Sequence, residues 1–254
     1  MKLQGKVAVV SGGASGIGEG ICRRFAQEGA SVIVADIDGA KAEAVAQELA
    51  SNGGESMSFA VDVCLYDQVL ALVESTERRF GRLDVLVTAA GISKVRPIEQ
   101  LSIDWWQAVI NVNLNGLFYC CHAAAGVMMR QKSGKIVNIG SLAGLTAIPN
   151  NSPYVASKHG VVGLTKALAI DLGSYNINVN CMCPQTTLTP QALQHRSAEF
   201  FAAEAHRTPL GRLPTPEDHS TVALFLASCE SDYLTGMVVP VDGGRIVALR
   251  AHDD

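Results

Sequence analysis

The segment Tyr154-Val155-Ala156-Ser157-Lys158 sets a phenol and an ammonium four residues apart. On a helix that spacing puts them on one face, one turn apart. A phenol with an ordinary pKa of about 10 is a poor base at neutral pH. A neighbouring ammonium stabilises the phenolate and makes the pair an acid/base couple that can move the proton of an alcohol. Ser141 follows the apolar run Lys135 to Gly140. If that run is a strand, the Ser141 hydroxyl lies at its carboxyl end, where open α/β sheets bind ligands. There it can hydrogen-bond a substrate oxygen beside Tyr154.

A second group of residues has the chemistry of a phosphate cradle. Lys6 to Ser11 is short and β-branched and runs into Ser11-Gly12-Gly13-Ala14-Ser15-Gly16-Ile17-Gly18. Gly12, Gly16 and Gly18 fall where a strand turns into a helix. The backbone there must turn tightly, approach a pyrophosphate and let the helix pack on the sheet, and a Cβ obstructs all three. The helix start adds free N–H groups and the positive end of its dipole. Asp36 closes the next apolar run, Ser31 to Asp36, 18 residues past Gly18. That is close to the spacing at which a carboxylate accepts from a ribose 2′-hydroxyl. The same charge repels a 2′-phosphate, and neither Ser15 nor Ile37 offers that phosphate a cation. The pattern favours NAD over NADP.

These groups need a scaffold, and the periodicity supplies one. Short apolar runs at 6–11, 31–36, 55–62, 83–89, 135–140, 176–183 and 237–241 read as strands. Helical periodicity fills 16–28, 40–50, 65–80, 102–130, 153–172 and 216–228. Strands that are apolar throughout, alternating with helices, make a parallel sheet covered on both faces. Right-handed crossovers then give a doubly wound, Rossmann-type α/β fold. No linker interrupts the alternation, so 1–254 is expected to be a single dinucleotide-binding and catalytic domain. The one long stretch without a strand runs from Gln185 to Thr215, and residues 186–207 are expected to form a substrate lid with Phe200 and Phe201 beneath it.

Composition narrows the function further. The chain has 254 residues, 48% apolar and 17% charged, which disfavours disorder and suffices for a sizeable core. The net charge of −4 is spread among interspersed residues, with no run of Lys or Arg to track a phosphate backbone, so nucleic acid is not an expected partner. No apolar stretch reaches the roughly 18 residues of a membrane span. None of the seven cysteines has a CxxC neighbour, and Cys181 and Cys183 end a strand-like run, so buried thiols are expected and no metal site. The start of the chain reads as no signal peptide. A reduced, cytoplasmic protein is the expectation.

Taken together, the glycine loop, Asp62 after the third strand, Asn113 before a Leu-x-Gly, Ser141, Tyr154 with Lys158, Pro184 with Thr189, and Val241-Asp242-Gly243-Gly244 resemble the motifs of the short-chain dehydrogenase/reductase family. The resemblance covers nearly the whole chain. It implies a catalytic tetrad of Asn113, Ser141, Tyr154 and Lys158; Asn111 and Asn115 compete for the first place, but only Asn113 precedes the Leu-x-Gly. It implies NAD as cofactor, held by Gly12, Ser15, Gly16, Ile17, Gly18, Asp36, Ile37, Asp62, Val63, Ala90, Gly91, Pro184, Thr187 and Thr189 together with Tyr154 and Lys158. A small alcohol or ketone substrate would meet Ser141, Tyr154, Leu142, Ala147 and Gln185. Val95, Leu145 and Ile148 are further wall candidates. A homotetramer is the family expectation. An acyl-carrier reductase would more often use NADPH and a basic docking patch, against which Asp36 and the weak charge argue. A nucleotide sensor or scaffold would not need all four tetrad side chains, and a dehalogenase would lose the dinucleotide loop. Two departures from the family pattern stand out. Thr88-Ala89-Ala90-Gly91 replaces Asn-Asn-Ala-Gly, with Thr88 expected still to donate across strands. Pro184-Gln185 replaces Pro-Gly, and the Gln185 amide is expected at the nicotinamide or substrate end of the cleft.

Overall fold

The expected strands and helices form in order, shifted by a residue or two at their ends. The computed structural model describes residues 1–248, so 249–254 of the expected domain lie outside the described residues. The strands are β1 (Val7–Ser11), β2 (Ser31–Asp36), β3 (Ser56–Ala60), β4 (Val85–Thr88), β5 (Gly134–Ile139), β6 (Ile177–Pro184) and β7 (Val238–Val241). The helices are α1 (Gly16–Gln27), α2 (Gly39–Ser51), α3 (Tyr66–Phe80), α4 (Ile103–Ile110), α5 (Leu117–Gln131), α6 (Ser152–Gly173), α7 (Pro190–His195), α8 (Ala198–His206) and α9 (Pro216–Ala227).

All seven strands are parallel, in the order β3-β2-β1-β4-β5-β6-β7. The winding reverses between β1 and β4, which opens a crevice at their carboxyl ends. Successive side chains of a strand point to opposite faces, and this divides the core in two. Val7, Val9, Ile33, Leu86, Ile136 and Val179 pack with residues of α3, α5 and α6. Ala8, Val10, Val32, Val34, Val85, Val87 and Met182 pack with residues of α1, α2 and α9. Central strands buried on both faces carry few polar positions, and these runs read as mainly apolar.

One expected element differs. The helical run 102–130 is not a single α-helix: between α4 and α5, Asn111–Gly116 adopts π-helical hydrogen bonding. The extra residue per turn rotates α5 relative to α4, and such bulges are frequent at functional sites. Gly116 suits the bulge because its backbone lies against Val63, whose Cγ2 a Cβ would meet at 2.7 Å.

Thr88 behaves as expected. It pairs in register with Asn138 of β5, and its Oγ1 donates to Asn138 Oδ1 at 2.9 Å. Asn138 Nδ2 in turn donates to Thr165 Oγ1 of α6 at 3.0 Å. The three residues are buried, so each bond satisfies a group that water cannot reach. Replacing Thr88 by Val keeps the shape and leaves Asn138 Oδ1 with only the Cys121 thiol at 3.4 Å. Urea denaturation of Thr88→Val is expected to show a loss of about 1–2 kcal/mol; an unchanged midpoint would contradict the network.

Candidate active site

The site assembles at the carboxyl edge of the sheet, beginning with the turn after β1. Gly12 has φ +69°, and a Cβ there would stand 2.5 Å from the Ala90 nitrogen just past β4. A Cβ on Gly18 would collide with the Gly12 carbonyl oxygen. Gly16 has φ +55° and lies against the Thr189 methyl, 3.2 Å from where its Cβ would be. Backbone therefore lines the crevice where side chains would otherwise fill it. The first N–H groups of α1 have no helical partners and face this space. Ser15 is exposed and Ile17 half-buried.

Asp36 borders the same turn. Its Oδ2 accepts from the Ala14 N–H and its Oδ1 from the Asp38 N–H, both at 3.1 Å. These bonds aim the carboxylate at the rim of the glycine loop. Ile37 beside it is 74% exposed. Asp62 Oδ1 accepts from the Cys64 N–H at 2.9 Å, and Val63 is buried against the π-helical segment. The cradle of missing Cβ atoms, the free helix start and the two carboxylates suit a dinucleotide.

The expected acid/base pair lies on the other side of the crevice. Lys158 is buried, and its Nζ donates to the Ile139 carbonyl at 2.8 Å while standing 5.7 Å from the Tyr154 ring centroid. Asn113, from the π-helical segment, is fully buried. Its Oδ1 accepts from the Ile92 N–H at 2.8 Å and its Nδ2 donates to the Ile92 carbonyl at 2.9 Å. Neither Asn111 nor Asn115 reaches this place; Asn115 Nδ2 donates to Asn111 Oδ1 at the surface. Gly91 brings its backbone close to both groups: a Cβ would lie 3.4 Å from Asn113 Oδ1 and 3.9 Å from Lys158 Nζ. Ser141 Oγ accepts from the Ala143 N–H at 3.1 Å, which caps the short turn Leu142–Gly144 and leaves its own proton to donate.

Sequence reasoning missed Ser157. Its buried Oγ accepts from Asn113 Nδ2 at 3.3 Å and donates to the Tyr154 carbonyl at 2.8 Å, so it links two members of the expected tetrad. Nothing in its residue type distinguishes it; only its place between Tyr154 and Lys158 gave a signal. Asn151, one turn before Tyr154, was missed for the same reason.

Two expected contacts are corrected. The Gln185 amide does not extend towards a ligand: Gln185 is buried, and its Nε2 donates to Thr208 Oγ1 at 3.3 Å, whose own proton goes to the Glu204 carbonyl at 2.9 Å. It lines a small hollow with Leu210, Arg212 and Gly243. Thr187 is buried too; its hydroxyl donates to the Gln185 carbonyl at 2.9 Å and meets His219 Nε2 at 2.8 Å. Through His219, Thr187 is tied to α9. Pro184 is buried at the end of β6, and Thr189 Oγ1 caps α7 by accepting from the Ala192 N–H at 3.2 Å. The stretch expected to be a lid carries α7 and α8, where Phe200 and Phe201 stack edge to face at 5.6 Å. Leu142 is half-buried. Leu145 is half-buried and packs against the core on one side, and Val95 is exposed. Ala147 and Ile148 line a groove of about 850 Å³ beside α6. Cys181 and Cys183 are buried, 3.8 Å apart, in the space a Gly140 Cβ would occupy.

Comparison with known proteins matches the chain over nearly its whole length. A family model described as enoyl-(acyl carrier protein) reductase matches residues 12–245. The 3-oxoacyl-[acyl-carrier-protein] reductase FabG of Thermotoga maritima is 39% identical over 97% of this chain and 100% of its own. The D-threitol dehydrogenase of Mycolicibacterium smegmatis is 36% identical over 97% of this chain and 95% of its own. The crystal structure of levodione reductase superposes with a TM-score of 0.92 at 31% identity, covering 97% of this chain and all of that one.

The His219 contact has a pH signature. Burial pushes its pKa from 6.5 down to about 4. Between those values the unfolded chain binds a proton that the folded one refuses, so stability falls as pH drops through that window and is unaffected above it. The loss by pH 4.5 is on the order of 2–3 kcal/mol. The urea midpoint of His219→Gln is expected to change less between pH 7.5 and pH 4.5 than that of the wild type; equal changes would place the histidine in solvent.

Proposed function

Since the chain belongs to the short-chain dehydrogenase/reductase family of oxidoreductases, we propose that it is an NAD(H)-dependent enzyme interconverting a secondary alcohol and its ketone. The observation that supports this reading is that Lys158, 5.7 Å from the Tyr154 ring centroid, and Asn113 both lie against Gly91, next to the Ala90 backbone that Gly12 of the glycine loop packs on, while Ser141 lies two residues after Ile139, whose carbonyl accepts from Lys158. Tyr154 exchanges the proton of the reacting hydroxyl. Lys158, anchored on the Ile139 carbonyl, places a positive charge beside that phenol and is the group to meet the nicotinamide ribose. Ser141 donates its free proton to the substrate oxygen and orients it. Asn113 holds the loop at Ile92 that closes the site from the β4 side. The bound nicotinamide supplies the hydride chemistry.

The dinucleotide is held in this reading by Gly12, Ser15, Gly16, Ile17 and Gly18, by Asp36 and Ile37 at the adenosine ribose, by Asp62 and Val63 at the adenine, and by Ala90, Gly91, Pro184 and Thr189. Asp36 accepts from the ribose and opposes a 2′-phosphate, which supports NAD. Leu142 and Ala147 flank the substrate, a small alcohol or ketone, and the D-threitol dehydrogenase relative keeps polyols in view. The chain acts as a single dinucleotide-binding and catalytic unit, with 186–207 as its lid. A cytoplasmic protein fits the unpaired cysteines, and no helix among the described residues is long and apolar enough to cross a membrane. A homotetramer fits the apolar side chains on the outer faces of α5 and α6: Ile170 is 82% exposed and Phe118 39%.

Tyr154→Phe keeps the ring and removes the titrating group. Turnover is expected to fall at least ~100-fold, the scale of lost acid–base catalysis, with NADH binding by fluorescence nearly intact. Turnover within a few-fold of wild type would remove Tyr154 from the chemistry. Asp36→Ala is expected to relax the NAD/NADP preference in kcat/KM by about 10-fold or more, given like-charge costs of several kcal/mol, and Ile37→Arg in the same background to push it further. A wild-type protein that uses both cofactors equally well would end the role given to Asp36.

A further inference from the structure

We propose that Asn151 and Ser93 form a specificity pair that binds a second hydroxyl of the substrate next to the reacting carbon, so that 1,2-diols and α-hydroxy ketones are favoured. This rests on the reading of Tyr154 as the acid/base group. Asn151 is the residue preceding α6, a position where asparagine ordinarily caps the helix with its side-chain oxygen. It makes no such cap. Instead its side chain reaches to the loop after β4, where Nδ2 donates to Ser93 Oγ at 2.8 Å. The residue is 3% exposed, and its Oδ1 is buried without a hydrogen-bond partner, one of four such side-chain atoms among the described residues. Of those four, it alone lies one turn from Tyr154. Native proteins rarely leave a buried acceptor unpaired, and a functional role is one of the reasons they do.

The pair is tied to the reacting centre from both ends. Ser93 follows Ile92, whose two backbone groups are held by Asn113. Asn151 is three residues before Tyr154. A second link between the same loops, from the Arg96 N–H to the Asn150 carbonyl at 2.6 Å, fixes their separation. Asn151 lines a groove of about 850 Å³ together with Arg96, Ala147, Ile148 and the Tyr154 neighbours Val155 and Ala156, so open space adjoins the pair.

The donor and acceptor inventory decides the class of group recognised. Asn151 Oδ1 can only accept. Ser93 Oγ already accepts from Asn151, is exposed, and has its proton to give. One acceptor beside one donor matches a hydroxyl, which donates and accepts. A carboxylate has no proton for Oδ1 and is repelled by its lone pairs; in this groove it would pair with Arg96 and leave Oδ1 unpaired. A site built to hydrogen-bond a substrate hydroxyl rejects the analogue that lacks it.

The test compares trans-cyclohexane-1,2-diol, cyclohexanol and 2-hydroxycyclohexanecarboxylate with NAD saturating. In the wild type the diol/cyclohexanol ratio of kcat/KM is expected to be at least ~10. Asn151→Leu and Ser93→Ala are expected to bring it towards 1, while Asn151→Asp, which keeps an acceptor, retains most of it. Equal losses on diol and cyclohexanol would make Asn151 a structural residue and overturn the proposal, as would a wild-type preference for the hydroxy acid. Calorimetry on Tyr154→Phe loaded with NAD gives a readout independent of turnover: the diol should bind at least ~10-fold more tightly than cyclohexanol, and Asn151→Leu should abolish the difference. Selective diol binding without turnover in any active-site background would sustain the pair and sink the dehydrogenase reading. Turnover without discrimination sinks the pair alone, and the absence of both binding preference and turnover sinks both.

Discussion

Both backbone groups of Ile92 close on the side chain of Asn113, and the same side chain reaches Ser157 of α6. Three segments distant in sequence meet at this one buried amide: the loop after β4, the π-helical segment between α4 and α5, and the first turns of α6. An amide is suited to the place because it offers an acceptor and two donors in one plane. The π bulge is what brings it there, by turning Asn113 inward at a point where a regular helix would advance the next residue. Gly91, the Ile139 carbonyl under Lys158, and the Ser157 link to Tyr154 are all arranged around it. Loss of that amide would leave buried backbone groups unpaired and release the loop that frames the crevice.

Across the crevice the constraint is the reverse, a lack of side chains. Gly12 must pass under Ala90, and Gly18 must pass over Gly12, so the β1–α1 turn, the end of β4 and the start of α1 nest at backbone distance. Asp36 then locks the turn from the β2 side through the Ala14 N–H. The chemistry proposed for this protein thus needs two unlike walls. One is bare backbone and a helix start that suit phosphates. The other is a buried polar network that holds an ammonium, a phenol and a hydroxyl at fixed positions.

The departure after β6 shows how a family position can change its work. Where a glycine would leave open space, Gln185 fills the base of the segment 186–207 and pairs with Thr208, and Thr187 pairs with a neutral His219. These contacts tie both ends of the segment carrying α7 and α8 to α9 and the sheet. Any movement of such a segment is then confined to the two short helices between the ties.

The sequence alone determined the sheet, because strands buried on both faces are mainly apolar and helices that cover them must be amphipathic. It also determined the glycine loop, Asp36, and the Tyr154/Lys158 pair, since each depends on spacing within one or two neighbouring elements. Thr88 could be read correctly for a similar reason: its partner Asn138 lies directly opposite in the adjacent strand. What the sequence did not contain was the side-chain pairing between segments far apart in the chain. Asn138 to Thr165, Asn113 to Ile92 and Ser157, Asn151 to Ser93, Gln185 to Thr208 and Thr187 to His219 all join positions whose distance is set by packing. The same residue types would serve as caps or solvated polar groups if packed otherwise. The break of the 102–130 helix into α4, a π turn and α5 was equally invisible, because a π bulge leaves the apolar period nearly intact and is fixed only when Gly116 must seat against Val63. Tertiary structure alone decided these points, because the hydrogen-bonding preference of a polar side chain is satisfied by whichever partner the packed core brings within reach.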